Sequence, residues 1–383
     1  MTVQTALPNQ ERHSVSGFSG DYFCLDHLNV GYEGTVVIED VNIGIAQGEI
    51  LTLIGPNGAG KSTILKTITR QLEPISGVVR FNGVDWTTIE RHKLAQMISV
   101  LLTERIRPEL MTCEDVVAMG RYPYTGSLGV LQPEDQKIVD EAMELVHVSE
   151  LAEKDFSAIS DGQRQRVMLA RAICQQPDLM ILDEPTSFLD VRYKLELLNI
   201  LQKMSRERGM TVVMSLHELD LAERVSDRIM TVRPGRPGVI DRFGTSEEIF
   251  TPGYIDDLYG LTVGSYDESS GRVELPAITG DPRVFVVCGG GTGTLVFRRL
   301  QREGTPFAAG ILTENDTDYP VAASLAAELV AVPAFQVPGN EAVQQAQAVI
   351  DRCERVTCTL GEDRLTPSLR ALVDYAKDKG KLA

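Results

Sequence analysis

Short apolar runs recur along this chain, and most lead into a turn followed by a helical pattern. Ile50–Ile54 is one such run; it meets a glycine-rich turn and then an amphipathic stretch. Ile98–Leu102, Leu179–Leu182 and the β-branched Thr211–Ser215 are others, each short enough to be a buried strand. The last third repeats the theme. Val284–Val287 predicts a strand, residues 289–293 a tight turn, and Thr294–Glu303 a helix. Further strands are predicted in PFAAGIL and RVTCTL. Helices are predicted in YPVAASLAAELVAV, which leads into a strand, and in EAVQQAQAVIDRC and SLRALVDYAKDKG. Strands alternating with helices argue for α/β architecture and parallel sheets.

The chain has 383 residues, too many for one ordinary core, so two domains are expected. Residues 1–20 are polar and lack an apolar signal core, which predicts a loose tail. Residues 266–282, rich in Gly, Pro, Ser and acid, read as a linker with room for one short strand. A hydrophobic fraction of 43% and a charged fraction of 24% are those of a globular protein. No apolar run reaches the roughly 18 residues that a membrane-spanning helix needs. Six scattered cysteines, with no C-x-x-C pair, predict reduced thiols. A net charge of −17 argues against general nucleic-acid binding but leaves room for a nucleotide, which needs only local positive potential.

Chemistry enters at the turn after Ile54. Gly55-Pro56-Asn57-Gly58-Ala59-Gly60-Lys61-Ser62 fits G-x-x-x-x-G-K-[ST], and Thr63 continues into the helix. Glycines let successive N–H groups converge on phosphate oxygens; Lys61 would reach the β and γ phosphates and Ser62 would ligate Mg²⁺. Asp183 and Glu184 end an apolar strand, where carboxylates in a parallel sheet lie beside such a loop. Asp183 would hold Mg²⁺, through water, and Glu184 would polarise an attacking water. His217 ends the next apolar strand and would sense the γ-phosphate.

With ISDGQRQRVMLARA at Ile159–Ala172 added, these residues resemble the nucleotide-binding subunit of ABC transporters over about residues 21–265. The resemblance implies a P-loop ATPase domain with a helical subdomain, joined through the linker to a small Rossmann-like domain at 283–383. It implies that Tyr32 stacks on adenine. Ser160 and the N–H groups of Gly162 and Gln163 would contact the γ-phosphate of ATP held by a second subunit, and Asp190 would bridge two sites in a head-to-tail homodimer. ATP, Mg²⁺, membrane permease subunits and, indirectly, a substrate-binding protein are the implied cofactors and partners. The place is the cytoplasmic face of the membrane, held through the permease, with no nucleic-acid partner.

Two positions depart from the family's usual text. Asp161 replaces the first glycine of the signature, which is tolerated only if its carboxylate points away from phosphate. Thr103-Glu104-Arg105 stands where a glutamine is usual, with Thr103 the aligned substitute near the metal and Glu104 the alternative. GRYPYTG, Gly120–Gly126, is expected to expose Arg121 and two tyrosines to a permease, as a similar text does in importers of iron chelates, haem and cobalamin. Import of such a metal chelate is the expected function; a soluble ABC ATPase, a regulatory ABC protein and an exporter motor are the alternatives. Gly289–Gly293 falls one glycine short of a dinucleotide loop, so the C-terminal domain is either a site for a small anion or nucleotide-like ligand, or a docking unit whose glycines only permit the turn.

Overall fold

The computed structural model describes residues 21–102, 110–125, 129–268 and 271–383. The chain divides into two compact units at Phe250/Thr251. This lies upstream of the boundary at 265 expected from sequence.

The first unit holds one ten-stranded sheet. Its strands are β1 (Phe23–Tyr32), β2 (Thr35–Ile45), β3 (Ile50–Ile54), β4 (Ser76–Phe81), β5 (Val84–Asp85), β6 (Ile98–Leu101), β7 (Leu179–Asp183), β8 (Thr211–Ser215), β9 (Arg228–Arg233) and β10 (Gly238–Gly244). The order is β5-β4-β1-β2-β10-β9-β3-β8-β7-β6. Strands β9, β3, β8, β7 and β6 run parallel, and every residue of β3, β7 and β8 is buried. Burial on both faces is why these strands read as continuous apolar runs. Strands β1, β2 and β4 pair antiparallel and carry Phe23, Leu25, Ile43 and Phe81 into the same core.

Helix α1 (Lys61–Ile68) follows β3, and α2 (Arg91–Met97) precedes β6. A helical subdomain of α3 (Cys113–Ala118), α4 (Pro133–Leu145) and α5 (Asp161–Cys174) comes between β6 and β7. Capping boxes at Thr112, Gln132 and Ser160 begin these three helices, each satisfying two otherwise unpaired backbone N–H groups. Helix α6 (Val191–Arg208) starts at Asp190 and stops at Gly209 in the left-handed conformation; α7 (Leu219–Val225) and α8 (Ser246–Ile249) complete the unit.

The second unit opens with α9 (Tyr254–Tyr259) and a hairpin of β11 (Ser265–Asp267) and β12 (Arg272–Glu274). The stretch read as a linker is therefore partly a paired hairpin, anchored by buried Tyr266 and Glu274. Four parallel strands follow: β13 (Val284–Val287), β14 (Phe307–Thr313), β15 (Glu328–Val332) and β16 (Arg355–Cys358), in the order β15-β14-β13-β16. Helices α10 (Thr294–Arg302) and α11 (Tyr319–Leu325) cover one face, where Phe297 stacks on Phe307. Helices α12 (Asn340–Arg352) and α13 (Pro367–Asp378) cover the other. This is a doubly wound sheet whose strand order reverses beside β13.

Candidate active site

The turn after β3 is set by backbone room. Gly55 has φ 145°, and a Cβ there would sit 2.3 Å from the Val232 carbonyl oxygen. Gly60, which starts α1, has φ 108°, and a Cβ there would sit 2.7 Å from Ile38. Residues with side chains do not fit either position. Lys61 is 6% exposed, and its ammonium donates to the carbonyls of Gly55 at 2.6 Å and Pro56 at 3.1 Å. Burial pulls its pKa below the usual lysine value, while the charges of Glu184 and Asp183 partly oppose that. Tyr32, at the end of β1, is 45% exposed, with its hydroxyl 3.5 Å from that of Thr63.

Strand order brings the carboxylates to this loop. In the parallel register Ser215 of β8 lies between Leu53 of β3 and Asp183 of β7. The Ser215 hydroxyl donates to Asp183 Oδ1 at 2.7 Å and accepts the Glu184 backbone N–H at 2.9 Å. Ser215 is fully buried, and sequence reasoning assigned it no role. The available signal was a polar residue closing an apolar strand just before His217. Glu184 has φ 50°, and its carboxylate lies 2.6 Å from His217 Nε2 and accepts from the Ser187 hydroxyl at 3.2 Å. Lys61, Asp183, Glu184 and His217 thus share one end of the sheet. Ser62, which follows Lys61 in α1, and Asp183 offer oxygen ligands, the type that suits Mg²⁺.

The signature segment starts α5. The Ser160 hydroxyl accepts the Gln163 N–H at 3.3 Å, and Gln163 Oε1 accepts the Ser160 N–H at 3.0 Å. Asp161 is drawn into an ion pair with Arg164 at 2.5 Å, and Arg164 also donates to the Ile159 carbonyl at 3.0 Å. That neutralises the carboxylate standing in the usual glycine's place. Buried Arg166 donates to the His147 carbonyl at 2.7 Å and lies 4.0 Å over the Tyr193 ring. Gly162 sits beside Phe188, whose carbonyl oxygen would be 3.0 Å from a Cβ at that position. Asp190 caps α6 by accepting the Tyr193 N–H at 3.0 Å.

Thr103, Glu104 and Arg105 lie outside the described residues. Arg121 is not exposed, as GRYPYTG suggested. It is 5% exposed, paired with Asp135 at 2.9 Å, donating to the Cys174 carbonyl at 2.9 Å and stacked on Tyr124. A guanidinium this well partnered is a structural pin between α4 and α5; Tyr122 and Tyr124 carry the exposed surface.

The glycine turn after β13 is occupied by the protein itself. Asp318, fully buried, accepts N–H groups from Gly293 and Thr294 and the Thr294 hydroxyl, each at 2.9 Å. Asp316 accepts the Gly290 N–H at 3.0 Å. Across the point where strand order reverses, the Thr292 and Thr359 hydroxyls meet at 2.6 Å. Three N–H donors of the turn, those of Gly290, Gly293 and Thr294, are thus bound to carboxylates of the same chain.

Comparison with known proteins agrees with the cassette geometry. The ABC transporter family model matches residues 38–187, and the MJ0874 family model matches residues 307–381. The chain belongs to the ABC transporter ATP-binding proteins and is an ATPase. MJ0873 of Methanocaldococcus jannaschii, an uncharacterized ABC transporter ATP-binding protein, is 42% identical over 288 residues, 75% of this chain and 98% of that protein. The iron(3+)-hydroxamate import ATP-binding protein FhuC of Bacillus subtilis is 37% identical over 62% of this chain and 87% of its own length. The cobalamin import ATP-binding protein BtuD of Halobacterium salinarum is 32% identical over 80% of this chain and 78% of its own length. Solved cassettes share the fold; one, the dimeric MJ0796 cassette in a post-hydrolysis state with ADP and Pi, matches 58% of this chain and 98% of its own, with a TM-score of 0.52 at 25% identity. Among the described residues no helix is long and apolar enough to cross a membrane.

Proposed function

We propose that this chain powers import of a metal chelate, of the iron–siderophore, haem or cobalamin class, by hydrolysing ATP on the cytoplasmic side of separate membrane permease subunits. The observation that carries the hydrolytic part is that Ser215 ties Asp183 to Glu184, Glu184 meets His217, and Lys61 lies within the electrostatic reach of both carboxylates. The cargo class rests on the similarity to the hydroxamate and cobalamin import proteins.

In this reading two chains meet head to tail. Tyr32 stacks on adenine, and the loop Gly55–Thr63 cradles the phosphates. Lys61 leaves the Gly55 and Pro56 carbonyls to pair with phosphate oxygens. Ser62 and, through water, Asp183 would hold Mg²⁺, which would supply charge neutralisation at the phosphates. Glu184 orients and polarises the attacking water, and His217, hydrogen-bonded to it, contacts the γ-phosphate. The partner subunit offers Ser160, Gly162 and Gln163 to that phosphate at the N-terminus of α5, where the helix dipole favours an anion. Asp190 stands between the two sites. Closing the interface removes water and strengthens each of these contacts.

The test is ATPase activity of the chain reconstituted with its permease and a binding protein loaded with a corrinoid, haem or ferric siderophore in turn. Stimulation by one establishes import and its cargo class. Robust turnover that none of the three stimulates overturns the metal-chelate assignment.

A further inference from the structure

At the glycine turn of the second unit, Asp316 and Asp318 take the N–H groups of Gly290, Gly293 and Thr294. Two arginines, Arg272 and Arg302, line a cleft between β12 and α10. Arg272, Val273, Glu274 and Leu275 line one wall, and Arg298, Gln301 and Arg302, three and four apart on one face of α10, line the other wall of this open cleft of about 440 Å³. That is within the range of about 300–1,000 Å³ usual for small-molecule sites.

Partners within the cleft account for only part of its charge. Arg298 is paired with Glu274, which is 5% exposed, and Gln301 donates to the Pro276 carbonyl at 3.2 Å. Arg299, which faces away from the cleft, is matched by Glu303. The side chains of Arg272 and Arg302 have no hydrogen-bond or ion-pair partner among the described residues. Arg302 sits in the last turn of α10, where a cation complements the helix dipole, but that role leaves its donors unused. The rim is apolar: Val273 is 68% exposed and Leu275 66% exposed.

The geometry points to a binding site in this cleft for a phosphate monoester with an apolar body, held by Arg272 and Arg302. A carboxylate offers two oxygens, which one bidentate guanidinium satisfies; a phosphate monoester offers three, enough for two. The Glu274–Arg298 pair fixes the hairpin on the helix and so holds the two guanidiniums across the cleft. Val273 and Leu275 receive the organic part. The site is separate from the ATP site and does not depend on the proposed cargo.

Calorimetry on the full chain carrying Lys61→Ala, which removes the cassette's phosphate-facing ammonium, tests this with phenyl phosphate and inorganic phosphate as probes. Saturable binding of phenyl phosphate is expected, tighter than inorganic phosphate. Arg272→Gln or Arg302→Gln should weaken it at least tenfold, Arg302→Lys less, and Arg299→Gln not at all. Absence of saturable binding at millimolar probe would overturn the proposal. So would binding that survives in the Arg272→Gln/Arg302→Gln double variant, or that falls equally in Arg299→Gln. Arg272 and Arg302 are exposed, and an unchanged thermal midpoint relative to the Lys61→Ala parent verifies that each variant is folded.

Discussion

Ser215→Ala is the sharpest perturbation of the hydrolytic end of the sheet. The serine hydroxyl makes two bonds at once, to the Asp183 carboxylate at 2.7 Å and from the Glu184 N–H at 2.9 Å. Replacing it removes little volume, so the cost is polar. The bond to an ionised carboxylate contributes about 1.5–3 kcal/mol and the bond from the N–H about 1 kcal/mol. Asp183 is 4% exposed, so water does not readily replace the lost donor. The expected loss is about 2–4 kcal/mol of stability, a fall of the thermal midpoint on the order of 10 °C. The same change frees the Glu184 peptide, which is held at φ 50°. Loss of positioning of that carboxylate should lower kcat roughly 10- to 100-fold. Ser215→Thr keeps a hydroxyl and should recover much of both. The assays are thermal unfolding without nucleotide and steady-state ATP hydrolysis. An alanine variant with wild-type midpoint and wild-type kcat would refute the argument that Ser215 sets these two carboxylates.

Other outcomes follow from single contacts. Glu184→Gln should bind ATP with near-normal affinity while hydrolysis falls at least 100-fold, and should accumulate as a dimer in sizing experiments with ATP; an unchanged turnover would remove Glu184 from its assigned role. Lys61→Met should abolish tight ATP binding yet leave the nucleotide-free midpoint unchanged or higher, because burial disfavours the ammonium in the folded state; a clear drop in that midpoint would contradict this. Asp318→Asn keeps the size but cannot accept all three donors, so about 2 kcal/mol should be lost from the second unit in denaturant titration. A wild-type titration would mean that the glycine turn does not depend on Asp318.

Local structure follows from neighbouring residues, and there the sequence was informative. The strands Ile50–Ile54, Thr211–Ser215 and Val284–Val287 were expected at the residues where they occur, because full burial leaves an uninterrupted apolar run. The phosphate loop could be read directly, since its glycines serve a backbone shape that only glycine adopts. The Ser160–Gln163 box is likewise a matter of residues three apart. The hairpin in the supposed linker escaped notice because its strands are only three residues each, too short to show a period.

What tertiary structure alone decided are the contacts between residues far apart in the chain. Ser215 reaches Asp183 only because β8 pairs with β7 in a register that no local pattern specifies. Arg121 looked like an exposed interface residue until α4 and α5 surrounded it with Asp135 and the Cys174 carbonyl. The turn at Gly289–Gly293 looked open to a nucleotide until the segment after β14 placed Asp318 on its N–H groups. Periodicity and turn chemistry fix what a backbone does over a few residues. Which charge meets which donor depends on strand order and packing, and that choice decides whether a glycine loop faces a ligand or its own chain.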